Sequence, residues 1–365
     1  MGDSVAEVAG AVSTAGSAEE SGGLMAGTAG GDSRAMVPST CGNSASDRPL
    51  RGRFAPTPSG RMHLGNVWCA LLAWLDVRSR GGELVLRIED LDRRKVPAGA
   101  EEALLDDLRW LGLDWDGEEV RQSDRGEIYA GYLERLVEAG LTYPCFCSRA
   151  DLHAAEAPHA SDGVRIYAGT CRNLTPQQIA ERRLVRHPGT RLVVPPASDP
   201  SGTVGFVDDV YGPYEECLAE ECGDFVVLRS DGVFAYQLAT TVDDHLMGVN
   251  RVVRGRDLMP STARQIYIQR LLGFEQPSYA HVPLLLAASG ERRLSKRERD
   301  CDLGFMRGHF GRPEVLLGRL AKLGGLRPTD EPVSAADLAQ SFTWDFLTSR
   351  SENREDIPVP GWFFS

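Results

Sequence analysis

Two stretches of this sequence combine residue types suited to phosphate chemistry. The first runs Arg53-Phe54-Ala55-Pro56-Thr57-Pro58-Ser59-Gly60 and continues to His63-Leu64-Gly65-Asn66. It reads as a strand, a Pro/Gly loop and the opening of a helix. A helix N-terminus offers unpaired N–H groups and a positive dipole end, which suit phosphates. Gly65 lets a nucleotide approach the backbone closely, and His63 is a candidate phosphate partner. The simpler alternative is a Pro/Gly turn with a surface histidine. The second stretch, far downstream, is Arg292-Arg293-Leu294-Ser295-Lys296-Arg297. A loop of cations can follow charge developing on a triphosphate during transfer. Taken alone, such a run is equally a solvated basic loop.

A third group carries sulfur. Cys145-Phe146-Cys147 and Tyr167-Ala168-Gly169-Thr170-Cys171 bring three thiols together, with Tyr167 where a fourth ligand would fall. Thiolates are good zinc ligands, and four are usual in structural sites. A phenolate is an uncommon ligand, because its proton must leave a group with a reference pKa of about 10. His153 and His159 are rival fourth ligands, and free buried cysteines are the alternative to any metal.

These residues need elements to hold them. RGRFAPTPSG is a strand entering a loop. NVWCALLAWLDVRSR has helical spacing at Val67, Leu71, Trp74 and Leu75, and Gly81 and Gly82 stop it. ELVLRIED is a strong strand. Together they predict a βαβ unit, the seed of a parallel sheet. Amphipathic helices are expected over Ala98–Leu111 and Gly126–Ala139. Between Tyr143 and Tyr214 the rhythm breaks into short Pro- and Gly-punctuated pieces, as in an inserted irregular or β module. DFVVLRSDGVFAYQLA predicts two strands around an Asp231-Gly232 hairpin turn. Residues 260–273 and 313–323 read as helices, and no internal repeat is present.

The 365 residues, 42% of them hydrophobic, suffice for a sizeable core. Forty basic against 52 acidic residues give a net charge of −12, which disfavours a general polyanion-coating protein. An enzyme of nucleic acid with a local basic patch remains compatible. Eight cysteines are too sparse for a disulfide scaffold. No apolar run approaches the roughly 18 residues of a membrane helix. MGDSVAEVAG lacks the features of a secretory signal, so a reducing cytoplasm is expected, with no membrane partner. Gly, Ala and Ser make up 26 of residues 1–48, which contain no aromatic residue. That segment is expected to be a disordered tail. A mis-assigned start is the alternative, since Met25 and Met36 also precede the folded part.

The ordered pair of phosphate motifs, PxPSGxxHxG and the later LSK loop, resembles the HIGH and KMSKS signatures of class I aminoacyl-tRNA synthetases. Here they stand as His63-Leu64-Gly65-Asn66 and Arg293-Leu294-Ser295-Lys296-Arg297. RFAPTPSG with Arg87-Ile88-Glu89-Asp90-Leu91-Asp92, and the stretch from Tyr236 to Arg254, are similar to the glutamyl/glutaminyl branch. The C-x-C…Y-x-x-x-C pattern is similar to the zinc site of the glutamyl-Q tRNA(Asp) synthetases, truncated relatives of glutamyl-tRNA synthetase. Two departures are Asn66, where the HIGH motif ends in histidine, and Arg293, where KMSKS begins with lysine. Asparagine still donates a hydrogen bond but carries no charge, and arginine keeps the charge with a different geometry.

The resemblance implies an α/β fold: a Rossmann-like catalytic domain, an inserted zinc-containing module and a short C-terminal helical region. The expected divisions are the tail 1–48, catalytic halves 49–142 and 231–290, the insert 143–230, and the LSK loop with a short stem over 291–365. That stem is expected to leave no room for the anticodon-binding region of a full glutamyl-tRNA synthetase. Implied substrates are L-glutamate, Mg2+-bound ATP and tRNA(Asp) bearing queuosine, handled by a monomer with one structural Zn2+. His63 and Lys296 are the implied catalytic residues. Glutamate carries two carboxylates and an ammonium, so its site needs cationic forks and an anion. Arg53, Phe54, Ala55, Pro56, Thr57, Glu89, Tyr236 and Arg254 are the implied glutamate site. Arg53 and Arg254 are the candidate forks and Glu89 the candidate anion, although Arg87 and Glu89 could also form a purely structural pair. ATP falls to His63, Gly65, Asn66, Arg293, Ser295 and Lys296, and zinc to Cys145, Cys147, Tyr167 and Cys171. Glutamate would be activated as its adenylate and passed to queuosine in the anticodon loop. The alternatives are a synthetase charging tRNA(Glu), a non-catalytic RNA-binding paralogue, and a small nucleotidyltransferase sharing only the HxG loop.

Overall fold

The computed structural model describes residues 48–148, 151, 166–287, 302–349 and 354–365. The expected tail, apart from Arg48, therefore lies outside the described residues. The sequence-predicted βαβ unit forms as β1 (Arg51–Phe54), α1 (Leu64–Arg78) and β2 (Glu83–Ile88), with β1 and β2 parallel. After β2 come α2 (Ala100–Leu111), β3 (Val120–Arg121), α3 (Gly126–Glu138) and β4 (Thr142–Cys145). Next are α4 (Pro176–Arg183), β5 (Gly189–Leu192), β6 (Thr203–Asp208), β7 (Gly212–Cys217), α5 (Leu218–Glu221) and β8 (Phe225–Leu228). They are followed by α6 (Tyr236–Leu246), β9 (Arg251–Gly255), α7 (Met259–Leu272), β10 (Ser278–Val282) and β11 (Leu285–Leu286). The C-terminal part holds α8 (Leu303–Phe310), α9 (Pro313–Leu323), α10 (Ala335–Ala339), α11 (Asp345–Thr348) and β12 (Ile357–Pro358).

The main sheet has the order β3-β2-β1-β9-β10-β6-β7. It is parallel except for the β6–β7 hairpin at one edge. From β1 the chain winds outward to β2, and from β9 it winds the other way to β10. The reversal between β1 and β9 is a topological switch point, where ligands of open α/β sheets bind beyond the carboxyl ends of the strands. A second sheet, β4-β5-β8, is antiparallel, and its β4 ends at Cys145. Residues 203–217, within the expected insert, pair with the edge of the main sheet rather than with this small one.

Alternating strand residues feed two apolar layers, one on each face of the main sheet. Leu84, Leu86, Val253 and Ala280 join the layer built on α1, α9 and the C-terminal residues. Val252 and Tyr279, with partly buried Val85, join the layer built on α3, α6 and α7. Helix α1 is apolar on nearly all sides because the sheet covers one flank and the C-terminal elements the other. None of the helices among the described residues is long and apolar enough to cross a membrane.

The second strand expected after Asp231-Gly232 does not form. Phe234 makes one bridge to Leu228, and helix α6 starts at Tyr236. The reason is periodicity: Leu238, Ala239 and Val242 recur at helical spacing and are buried, whereas Val233-Phe234 alone is too short to extend a ladder.

At the end of the main sheet opposite the switch-point pocket, buried Asp76 on α1 accepts from Arg251 Nε at 2.7 Å and from Trp344 Nε1 at 2.7 Å. It thereby ties the first helix to β9 and to the C-terminal region. Asp76→Ala leaves the buried Arg251 guanidinium short of a partner. We expect a loss of about 3–5 kcal/mol in urea-induced unfolding.

Candidate active site

The carboxyl ends of β1, β2, β9 and β10 bring Arg53, Glu89, Arg254 and His281 into one cluster. Arg53, third residue of β1, is buried; its Nη1 donates to Val253 O at 3.0 Å and its Nε lies 3.8 Å from an Asp244 oxygen. That Nε is buried with no hydrogen-bond partner. Burial holds the Arg53 guanidinium below its ordinary pKa, with Asp244 opposing and Arg254 adding to the effect. Arg254 on β9 is also buried. Its Nη2 donates to Thr262 Oγ1 (2.6 Å) and Gln265 Oε1 (2.9 Å), its Nη1 to Tyr236 Oη (3.3 Å) and its Nε to His281 Nε2 (3.3 Å). Tyr236 opens α6, which places its hydroxyl beside β9.

Glu89 follows β2, held there by its N–H donating to Pro56 O at 3.0 Å. Its Oε1 accepts from Thr240 Oγ1 at 3.3 Å and from Arg87 Nη2 at 3.4 Å. Burial pushes its carboxyl above the ordinary range, against the pull of Arg87 and Arg53. Arg87 itself is fully buried and donates to Asp244 Oδ1 at 2.7 Å. Burial alone would depress its guanidinium; Asp244, Glu89 and Asp243 together hold it above its ordinary value. Asp243, next along α6, accepts from Gln122 Nε2 (2.8 Å), Arg125 Nε (2.6 Å) and Tyr129 Oη (2.8 Å). The Arg87–Glu89 pair is thus present, but Glu89 keeps a second oxygen outside it.

Of the other expected glutamate-site residues, Pro56 is buried, Ala55 half-buried and Thr57 exposed. Phe54 points away and packs against the core layer of α1. Strand alternation requires this once Arg53 faces the pocket. His63 caps α1, its Nδ1 accepting from the Asn66 N–H at 3.3 Å. A Cβ on Gly65 would stand 3.2 Å from the His63 ring, so glycine preserves that cap. Asn66 is half-buried. Arg293, Ser295 and Lys296 lie outside the described residues. Asp302, at the start of the next described segment, bridges to His63, and the Leu303 N–H donates to Met62 O at 2.7 Å. The chain after the LSK motif is therefore anchored beside His63.

The sulfur cluster also assembles. The Sγ atoms of Cys145, Cys147 and Cys171 lie within 4.8 Å of one another. Tyr167 Oη is 3.6 Å from Cys145 Sγ and 3.6 Å from Cys147 Sγ, and Cys147 Sγ is 3.6 Å from Cys171 Sγ. Tetrahedral ligation with Zn–S near 2.3 Å and Zn–O near 2.0 Å implies ligand separations of about 3.5–3.8 Å, so the donor set fits zinc. Three thiolates and a phenolate around Zn2+ would leave two negative charges. Arg191 Nε lies 3.3 Å from Cys145 Sγ and Arg182 Nη1 3.8 Å from Cys171 Sγ, placed to offset them. Burial and the three sulfurs push the Tyr167 phenol well above its ordinary pKa. The Cys171 N–H, donating to its oxygen at 2.8 Å, pulls the other way, and a cation at the centre would favour the ionised form further. His153 and His159, the rival ligands, lie outside the described residues.

A model of the family described as tRNA synthetases class I (E and Q), catalytic domain, matches residues 49–356. The chain is 48% identical over 306 residues to a glutamyl-Q tRNA(Asp) synthetase of Symbiobacterium thermophilum, covering 80% of this chain and 92% of that protein. This chain belongs to the glutamyl-Q tRNA(Asp) synthetase family. A second such synthetase, from Nitratidesulfovibrio vulgaris, is 44% identical, with 82% of this chain and 94% of that protein aligned. The chain is accordingly a ligase-type enzyme with the α/β catalytic fold of class I synthetases. Its fold is similar to the crystal structure of a glutamate tRNA ligase from Elizabethkingia meningosepticum in complex with its amino acid. The TM-score is 0.72 at 25% identity, with 87% of this chain and 69% of the other covered.

Sequence reasoning missed the residues that hold the forks. Asp243 and Asp244 were visible as a carboxylate pair on the apolar side of a helical pattern, a signal for buried ion pairing. His281 gave little signal, being one histidine in an apolar strand. It is fully buried, with Nδ1 2.7 Å from Asp208 Oδ2. Burial, and next Arg254, lower its pKa to about 4 against the opposing Asp208 bond, so the ring is neutral near pH 7. Its Nδ1–H then donates to Asp208 and its Nε2 accepts from Arg254. His281→Ala leaves Arg254 Nε without that acceptor. We expect KM for glutamate in ATP–pyrophosphate exchange to rise roughly tenfold or more, with partial recovery in His281→Gln.

Proposed function

We propose that the enzyme activates L-glutamate with ATP and transfers it to queuosine in the anticodon loop of tRNA(Asp). The observation that carries the glutamate assignment is the pair of buried arginines, Arg53 and Arg254, across the switch point, with Arg53 retaining an unpartnered buried N–H. Buried donors without partners suit a ligand anion. In this reading Arg53, Tyr236 and Arg254 bind the carboxylates, and Glu89 takes the ammonium. Ala55, Pro56 and Thr57 form the wall of the site, whereas Phe54 supports it from behind.

A carboxylate oxygen of glutamate attacks the α-phosphorus of Mg2+-bound ATP. A carboxyl–phosphate bond forms, the α–β phosphoanhydride breaks and pyrophosphate leaves. His63, Gly65 and Asn66 at the start of α1 cradle the phosphates, and Arg293, Ser295 and Lys296 complete the charge stabilisation. A nucleophile on queuosine then attacks the acyl carbon, and AMP leaves. The chemistry asks of this chain mainly positioning and electrostatics. Cys145, Cys147, Cys171 and Tyr167 would hold one Zn2+, whose contribution there would be structural. The enzyme acts in the cytoplasm as a monomer.

Incubation with labelled glutamate, ATP and tRNA(Asp), with and without queuosine, tests the assignment. Label is expected only on the queuosine-bearing RNA, and pyrophosphate exchange is expected without any RNA. Label on tRNA(Glu) instead, with exchange strictly dependent on it, would assign ordinary synthetase activity. For the metal, native protein is expected to carry one zinc per chain and Cys147→Ser to lose it. Metal-free wild type with full activity would refute the zinc assignment, and zinc retained in Tyr167→Phe would move the fourth position off the phenol.

A further inference from the structure

We infer that the exposed end of α4, with the turn that follows it, is a docking surface for the phosphate backbone of the RNA substrate. The nature of that RNA rests on the function proposed above; the surface itself rests on the following observations. The chain carries a net charge of −12, yet Glu181-Arg182-Arg183-Leu184-Val185-Arg186-His187 holds three arginines against one carboxylate. All seven residues are exposed. Arg182 is turned to Cys171 Sγ at 3.8 Å, whereas among the described residues no carboxylate pairs with Arg183. Arg186 donates to Phe146 O at 2.8 Å and lies 3.9 Å from Asp151.

Compensation of the helix dipole accounts for cations in the last turn of α4. Arg186 is engaged with Phe146 O, but neither reason accounts for the two aliphatic residues between the arginines. Leu184 and Val185 are each 89% exposed. Such a pair among cations fits a partner that offers phosphates and the apolar faces of ribose together, as RNA does.

The position also fits. Gly189 opens β5 directly after this turn, and a Cβ there would lie 2.9 Å from Leu228 O and 3.3 Å from Ser230 N. The turn is therefore set against the loop that leads to Tyr236. That loop is clamped to the rim of the pocket: Arg94 donates to Asp231 at 2.7 Å and Arg229 to Asp92 at 3.3 Å. Arg93, Arg94 and Lys95 are exposed on the rim and follow closely after Glu89. The cations of that loop and of the rim are paired with Asp92, Asp124 and Asp231, so among the described residues the end of α4 is the part of this region where arginines stand without such pairing, Arg186 beside Asp151 excepted.

Two variants of the full chain test the surface: Arg183→Glu, and the double substitution Leu184→Ser with Val185→Ser. Among the described residues none of these side chains makes a hydrogen bond or ion pair and all three are exposed, and zinc content and RNA-free pyrophosphate exchange serve as controls. Binding of tRNA(Asp), with and without queuosine, is measured across a salt series, together with KM for the RNA in glutamate transfer. Arg183→Glu is expected to weaken binding about five- to tenfold near 0.1 M salt and to flatten the log K against log salt slope by about one. The double variant is expected to weaken binding with the slope unchanged. Wild-type affinity and slope in Arg183→Glu overturn the proposal, as does wild-type protein that binds no RNA or binds it independently of salt. Loss of RNA affinity in Arg183→Glu, with no transfer by wild type, leaves the surface standing and removes the queuosine reading. Normal transfer by both proteins does the reverse.

Discussion

The candidate site depends on one shared carboxylate. Asp244 on α6 faces Arg87 at 2.7 Å and Arg53 at 3.8 Å, and all three side chains are buried. Desolvating two guanidiniums is expensive unless their charge is met at short range. Asp244 meets both, and Asp243 beside it braces Arg87 through a separate set of donors. Because Arg87 is held from behind, it can stand beside Glu89 without consuming that carboxylate. Because the contact to Arg53 is long, the arginine keeps donors for a ligand. A closer Asp244–Arg53 pair would lock the fork shut.

The sheet topology makes this arrangement available. Arg53 and Arg254 come from neighbouring parallel strands whose connections diverge, so a crevice opens between them. His281 on β10 pairs in register with Arg254 on β9. Its neutral ring passes the anchoring of Asp208 to the guanidinium. Arg254 is thus fixed by strand neighbours and by α7, whereas Arg53 is fixed by one carbonyl and a distant carboxylate. The two arginines differ in freedom: Arg254 is rigidly anchored, and Arg53 keeps the larger share of unpartnered donors.

Much of this frame was legible in the sequence, for physical reasons. The β1–α1–β2 unit follows from unbroken local periodicity and glycine stops, and His63 falls at the cap of α1 because the Pro/Gly loop ends there. The cysteine set was legible as a candidate because C-x-C and Y-x-x-x-C bring three thiols and a phenol within a short stretch of chain, with free buried cysteines as the alternative. What spacing did not reveal depends on contacts distant in sequence. Asp244 meets Arg87 across 157 positions and His281 meets Asp208 across 73. Their residue types are common in surfaces and cores alike. The start of α6 was misplaced by reading Val233-Phe234 as a strand, although Tyr236 itself was singled out through its resemblance to the glutamyl/glutaminyl branch. Phe54 shows the converse: its motif placed it in the site, and the two-residue alternation of β1 turns it into the core.

The central claim is that the buried arginines are held ready for a second carboxylate on the ligand. Calorimetric titration of the RNA-free chain with L-glutamate and with L-glutamine tests it most directly, because the two differ only in that group. Glutamate is expected to bind at least about tenfold more tightly, since an amide N–H2 facing guanidinium donors leaves buried donors unpaired. Equal affinity for the two amino acids would contradict the account.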